Sequence, residues 1–157
     1  MIRKADLQDL TQVQELYEML FSSMANLEPN YMKEAKQDES FIRSVILGEN
    51  DFSIFVAEKE GQIQGFAIAQ LQNSPPYNCF VQQRCVYLMD LVVNPRIQGK
   101  GFGTKLIERV KEWGQENKVD YFELNVLSTN QKAIELYKRM GLEPFSHSMR
   151  MRLNQAD

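Results

Sequence analysis

Apolar residues recur along this chain at two spacings, and the switching between them lays out the elements. Residues 2–5 read as a short first strand, after which Asp6 stands where a helix N-cap belongs. Leu7, Leu10, Val13, Leu16, Tyr17, Leu20 and Met24 then fall on one helical stripe, which is a core face. A second helical pattern over 39–47 carries Phe41, Ile42, Val45 and Ile46 and stops at Gly48, a residue suited to a left-handed cap. Between them, Asn26 to Met32 fits neither period. Residues 52–58 and 62–70 alternate in strand fashion around Lys59-Glu60-Gly61, which predicts a hairpin. A loop follows at Asn73-Ser74-Pro75-Pro76-Tyr77-Asn78.

Residues 85–93 form an apolar strand, and a helix carrying Leu106, Ile107, Val110 and Trp113 begins near Gly101 or Phe102. Residues 121–127 are rich in branched and aromatic side chains and read as a strand. A last helix opens at Asn130 and stops at Gly141, and residues 148–153 alternate once more, predicting a final strand. The predicted order is β, α, α, three antiparallel strands, α, β, α, β. It implies an α/β (α+β) fold with a mixed, mostly antiparallel sheet and helices on both faces. The strands 85–93 and 121–127 run parallel, because a helix joins them as a right-handed crossover. Ligands of such sheets collect at the carboxyl ends of the strands, where Val93, the glycines after it and Leu127 converge.

Composition narrows the class without choosing the chemistry. At 157 residues, 43% hydrophobic and 25% charged, the chain fits one globular domain over 1–157. A net charge of −3 gives no electrostatic reason to expect nucleic acid as a partner. There is no long apolar leader and no membrane-length apolar run, so the expected setting is cytoplasmic, with no membrane partner. Cys79 and Cys85 lack metal or redox spacing and read as reduced thiols. His147 is the sole histidine, which rules out a multi-histidine centre, and no metal is expected.

The chemistry is concentrated in the run Asn94-Pro95-Arg96-Ile97-Gln98-Gly99-Lys100-Gly101-Phe102-Gly103-Thr104, which sets three alternating glycines between a strand and a helix. Main-chain N–H groups at a helix start bind anions, and glycine lets the backbone approach them closely. A Walker A loop is excluded, since Lys100 is flanked by Gly99 and Gly101 and no Gly-Lys-Ser/Thr follows. The dinucleotide fingerprint also fails, because Gly99 and Gly101 lead to Thr104, and Gly101 and Gly103 to Leu106.

Gln98-Gly99-Lys100-Gly101-Phe102-Gly103 resembles the Q/R-x-x-G-x-G/A coenzyme A loop of the GNAT acetyltransferases. Downstream, Asn130-Gln131-Lys132-Ala133-Ile134-Glu135-Leu136-Tyr137-Lys138-Arg139-Met140-Gly141-Leu142 resembles the same family's N-x-x-A-x-x-L/F-Y-x-x-x-G-F segment, with Leu142 in place of the commoner Phe. The resemblance implies an acetyl-CoA-dependent transfer to a primary amine, with the two parallel strands splayed to admit the pantetheine arm. It implies cofactor contacts at Leu91, Val92, Val93, Gln98, Gly99, Lys100, Gly101, Phe102, Gly103, Thr104, Asn130, Ala133 and Tyr137. Tyr137 occupies the general-acid position, although an aromatic at helical spacing from Ala133 and Met140 also suits a core. Asn130 is equally an N-cap that touches no ligand.

Acetyl transfer also needs a group to take the proton from the amine. Asp90 is the candidate base, because a carboxylate inside an apolar strand demands a reason; facing solvent or pairing with a basic neighbour would be other reasons. Some members of the family carry a glutamate where this chain has Met89, which leaves Glu123 or a water relay as alternatives. The acceptor, a small-molecule or peptide amine, is expected between the segment holding Glu28 and Tyr31 and the loop 75–80. A homodimer is the default assembly. The reading from another class is a non-catalytic acyl-CoA-binding module on the same fold.

Overall fold

The protein is described by a computed structural model covering residues 1–154, so positions 155–157 of the expected single domain lie outside the described residues. Strands β1 (Ile2–Lys4), β2 (Phe52–Lys59), β3 (Gln62–Asn73), β4 (Arg84–Val93) and β5 (Tyr121–Leu124) make one sheet in the order β1-β2-β3-β4-β5. Every pairing is antiparallel except β4 with β5. Helices α1 (Leu10–Leu27) and α2 (Glu39–Ile46) cover one face, and α3 (Phe102–Glu116), the crossover from β4 to β5, covers the other, followed by α4 (Gln131–Arg139). This is the mixed, mostly antiparallel architecture that the two periodicities predict.

Local chemistry accounts for the element ends. The Asp6 carboxylate accepts the Gln8 N–H at 2.8 Å while Asp9 accepts the Asp6 N–H at 2.8 Å, a reciprocal cap. The turn so closed is a 3-10 turn over Leu7–Asp9, which leaves Leu7 44% exposed and off the buried stripe. Between β2 and β3, Glu60 and Gly61 both take positive φ (54° and 75°), the turn hand that matches the twist of a hairpin.

The core lies on both faces of the sheet. Leu10, Val13, Leu16, Tyr17, Ile42 and Val45 pack on Ile54, Val56, Phe66, Ile68 and Val92, while Leu106, Ile107, Val110 and Trp113 pack on Phe55, Ala57, Ala67, Ala69, Val86 and Leu88. Strands buried on two sides read as near-continuous apolar runs, which conceals which residue faces which helix. In β4 that facing changes midway. Ile68 of β3 pairs with Asp90 and Ala69 pairs with Leu88, so Met89 is an extra residue, a β-bulge. Before the bulge, Val86 and Leu88 face α3; after it, Leu91 and Val93 do, and Asp90 and Val92 turn toward α1.

Two predicted strands are corrected. β5 ends at Leu124, three residues short of Leu127. Residues 148–153 form no strand; Phe145, Met149, Met151 and Leu153 are 91%, 90%, 83% and 87% exposed. Alternation specifies a face, but a strand forms only against an edge that pairs with it. Here the Arg150 and Arg152 guanidiniums lie 4.6 and 5.8 Å from the centre of the Tyr31 ring, drawing the segment to the α1–α2 connection. The outer edge of β5 stays unpaired among the described residues. No helix among the described residues is long and apolar enough to cross a membrane.

Candidate active site

The site begins where the parallel pair parts. The β4–β5 ladder runs from Cys85 opposite Tyr121 to Leu88 opposite Leu124 and ends there, while β4 continues to Val93. On the β5 side, the backbone over 89–93 therefore has no strand partner, which leaves N–H and C=O groups available to an extended ligand. Leu91 and Val93 are half-buried against the α3 layer. Val92 turns its side chain into the α1 core, so only its main chain is offered to a ligand.

β4 leads directly into the glycine run. Asn94 accepts the Arg96 N–H at 3.1 Å and closes a 3-10 turn over Pro95–Ile97. Gly99 and Gly101 follow with φ of 86° and 82°, and a Cβ built on either meets nothing within 4 Å. Gly101 is the N-cap of α3, whose first backbone bond runs from the Lys105 N–H to the Gly101 carbonyl at 3.1 Å. The N–H groups of Phe102, Gly103 and Thr104 precede that bond and stand at the positive end of the helix dipole. Left-handed glycines, open space and N–H groups without a helical partner are the ingredients of an anion cradle.

Side chains from α4 complete it. Lys132 donates to Gln98 Oε1 at 2.6 Å, and Gln98 Nε2 donates to the Val93 carbonyl at 3.4 Å. Gln98 thus braces the loop to the strand end, and Lys132 brings a cation to Gln98 in a loop whose own Lys100 and Arg96 are exposed. Lys132 stands in the Asn130–Leu142 segment at a position the family motif leaves open, so the sequence carries no signal for it. Asn130 caps α4, its side chain accepting the Ala133 N–H at 3.2 Å.

Asp90 and Tyr137 come together at the same end of the sheet. The bulge at Met89 brings the Asp90 carboxylate against α1, where Tyr17 donates to its Oδ2 at 2.5 Å. Burial raises the Asp90 pKa, and the Tyr17 hydrogen bond partly opposes that rise. Tyr137, half-buried on α4, is pushed up to about 12, first by burial and then by the negative charge of Asp90. Its phenol therefore stays protonated at neutral pH. Glu123 lies opposite Tyr87, within the part of the ladder that is still paired. Cys85 is buried, and burial raises its thiol pKa, contrary to what an activated nucleophile needs.

On the side expected to receive the acceptor, Glu28 accepts the Thr129 hydroxyl at 3.1 Å, joining the α1–α2 connection to the loop before α4. The aromatic face of Tyr31 carries Arg150 and Arg152, while the loop 75–80 folds on itself through Tyr77 and Phe80, centroids 6.3 Å apart. His147 is exposed. Tyr17 is the functional candidate that helical spacing hid, because its position on the apolar stripe predicts only packing.

A sheet split at its parallel pair, with a glycine cradle at the mouth of the split, is the framework of an acyltransferase. The chain belongs to the Acetyltransferase (GNAT) family, whose model matches residues 12–142. It is 42% identical over 65 residues to thialysine N-epsilon-acetyltransferase of Mus musculus, a match covering 41% of this chain but 38% of that relative. An uncharacterized N-acetyltransferase of Archaeoglobus fulgidus is 28% identical over 141 residues, covering 90% of this chain and 91% of the relative. Among solved structures, a mutant of the BH1408 protein from Bacillus halodurans superposes with a TM-score of 0.93 at 24% identity, covering 98% of this chain and 99% of that one. Aminoglycoside N-acetyltransferase AAC(6')-Iy, solved in complex with CoA, superposes at 0.75 with 17% identity over 99% of this chain and 100% of that one. Likenesses at these identities speak for the fold.

Proposed function

We propose that the chain is one acetyltransferase domain that moves the acetyl group of acetyl-CoA to an aliphatic primary amine, by direct attack within a ternary complex. The observation that carries this reading is the continuity of unpaired β4 backbone with the glycine cradle. That continuous surface suits an extended amide arm ending in a diphosphate. Main-chain groups of Leu91, Val92 and Val93 would pair with the arm, and the N–H groups from Gly99 to Thr104 would grip the diphosphate, with Phe102 and Ala133 lining it and Asn130, Lys100 and Lys132 beside it. When bound, acetyl-CoA supplies an activated carbonyl on a thiol leaving group.

The protein's part is to position that carbonyl and to manage two protons. An alkylammonium has a pKa of about 10, so at neutral pH the nitrogen needs a group to receive its proton. Asp90 is that base: burial raises its proton affinity while the Tyr17 hydrogen bond keeps the carboxylate accessible to ionisation. Tyr137 returns a proton to the sulfur as the carbon–sulfur bond breaks. The two groups are coupled in a useful direction. While Asp90 is charged it holds the Tyr137 proton on; once Asp90 has been protonated, that restraint is gone and the phenol becomes a stronger acid.

Relatives acting on thialysine and on aminoglycosides support an amine on a flexible aliphatic or sugar carrier. Calorimetric titration with acetyl-CoA, then thiol release across a panel of thialysine, polyamines, aminoglycosides and peptide amines, tests the reading. Saturable binding with turnover on one class is expected. Absence of saturable binding overturns the proposal, and binding with no turnover on any amine favours the acyl-CoA-binding module. A homodimer, in the cytoplasm, belongs to the same proposal; the exposed row of Phe145, Met149, Met151 and Leu153 and the unpaired edge of β5 support the assembly. Sedimentation should then give twice the chain mass, and a single species at chain mass would refute the dimer.

A further inference from the structure

Tyr17 sits wholly out of solvent on α1, its ring 4.8 Å from that of Phe66 and 5.3 Å from that of Phe21. Packing alone would be served by a phenylalanine, because a phenol is buried without penalty only where its hydroxyl finds an acceptor. The acceptor is Asp90 Oδ2, 73 residues away along the chain and 2.5 Å away in space. A carboxylate drawn partly out of water, as half-buried Asp90 is, needs donors in its turn. Each group satisfies the other. A phenylalanine facing a leucine would fill the same volume without drawing a phenol and a carboxylate out of water, so a pair of this kind is weak support for stability and calls for another reason.

We infer that Tyr17 is a positioning residue for acetyl transfer: it pins the Asp90 carboxylate by Oδ2 so that Oδ1 is held ready for the proton of the incoming amine. The inference rests on the reading of Asp90 as the base. Among the described residues no donor other than Tyr17 is bonded to Asp90, so Oδ1 is left for the acceptor. The ammonium first gives one proton to Oδ1 and so gains the lone pair that attacks; as the carbon–nitrogen bond forms and the carbon–sulfur bond breaks, the sulfur takes the proton of Tyr137 and the second nitrogen proton restores the phenol. Tyr17 keeps its own proton throughout, since burial and the neighbouring charge both oppose its loss. The hold extends outward. The Gln37 side chain lies against the Tyr17 hydroxyl, and Gln37 is itself tied to α1 by the Gln14 amide, which donates to its carbonyl at 3.0 Å. The carboxylate is thereby linked to the α1–α2 connection, the segment from which the acceptor is expected to arrive.

The titratable groups facing Asp90 are Tyr17 from α1 and Tyr137 from α4, and its β3 partner Ile68 carries none. Tyr17 stabilises the charged carboxylate, so its loss drives the Asp90 pKa further up. Because kcat/KM rises as Asp90 loses its proton, the acid limb of the profile must move to higher pH. With acetyl-CoA and the amine preferred in the panel, Tyr17→Phe is expected to lower kcat about tenfold and to move that limb up by about one pH unit, leaving acetyl-CoA affinity unchanged. Carbon-13 NMR of the Asp90 carboxyl in Tyr17→Phe should show the same upward displacement without any acceptor present.

Phe66→Leu loosens the packing of the same ring and leaves its hydroxyl in place. It should lower the melting temperature without moving the limb. A limb and an NMR midpoint unmoved in Tyr17→Phe, or moved equally by Phe66→Leu, overturn the inference. The two readings fail differently. Full turnover by Asp90→Asn removes the base assignment and this inference with it, whereas an inactive Asp90→Asn beside a Tyr17→Phe of wild-type rate and profile removes this inference alone.

Discussion

Tyr137→Phe is expected to lower kcat by about 10²- to 10³-fold while acetyl-CoA affinity stays within about threefold of the wild type. The phenol is pushed up to about 12, so across the working range it carries its proton and can give it to a departing thiolate. Phenylalanine keeps the ring that packs against the α3 layer and removes only the donor. The pH dependence has a definite sign. A wild-type enzyme that needs Tyr137 protonated loses rate only as pH approaches about 12, so no basic limb assignable to it should appear between neutrality and pH 10. Thiol release under saturating substrates, paired with calorimetry, measures both quantities. A Tyr137→Phe enzyme with unchanged kcat removes the acid role and leaves Tyr137 as a packing residue.

Gly101→Val is expected to weaken acetyl-CoA binding about 30- to 100-fold. Two effects add. At φ 82° a β-branched residue is strained by about 1–2 kcal/mol, so the loop relaxes away from its left-handed turn and the N–H groups that open α3 lose their common direction. The added methyl groups also enter space that a Cβ at this position finds empty, which is the space proposed for the diphosphate. The contrast with Lys100→Ala decides the mechanism of grip. Lys100 is exposed, and a solvated cation contributes little, so that variant should lose no more than about threefold. Calorimetry on both variants is the measurement. If Lys100→Ala costs as much as Gly101→Val, the Lys100 charge carries as much of the grip as the loop backbone, and a grip by the main chain alone is overturned.

What was legible in the sequence follows the physics of each signal. The helical stripe through Val13, Leu16 and Tyr17 survives in α1 because a one-sided helix announces its core face by period. The loop from Gln98 to Thr104 was legible because positive φ and close approach leave glycine little competition. The predicted strand at 148–153 fails for the opposite reason: alternation describes a strand's faces and says nothing of whether a neighbouring edge is present. Tyr17 escaped because an aromatic on a buried stripe looks the same whether or not its hydroxyl has a partner 73 residues away. The bulge at Met89 escaped because β4 is apolar toward both layers, so an extra residue leaves no break in the pattern.

That extra residue gives this protein an unusual dependence on counting. Position 90 points at Tyr17 because Met89 is left out of the count; taken into a regular ladder, Met89 would put position 90 on the face of Leu88, in the layer with Trp113, and side-chain identity has no vote in it. Every single substitution in β4 keeps the tally. Removing Met89 would leave that count as it is, with Asp90 still opposite Ile68 and facing Tyr17, so the reactive end of the sheet is sensitive to whether the kink forms and not to the residue that makes it.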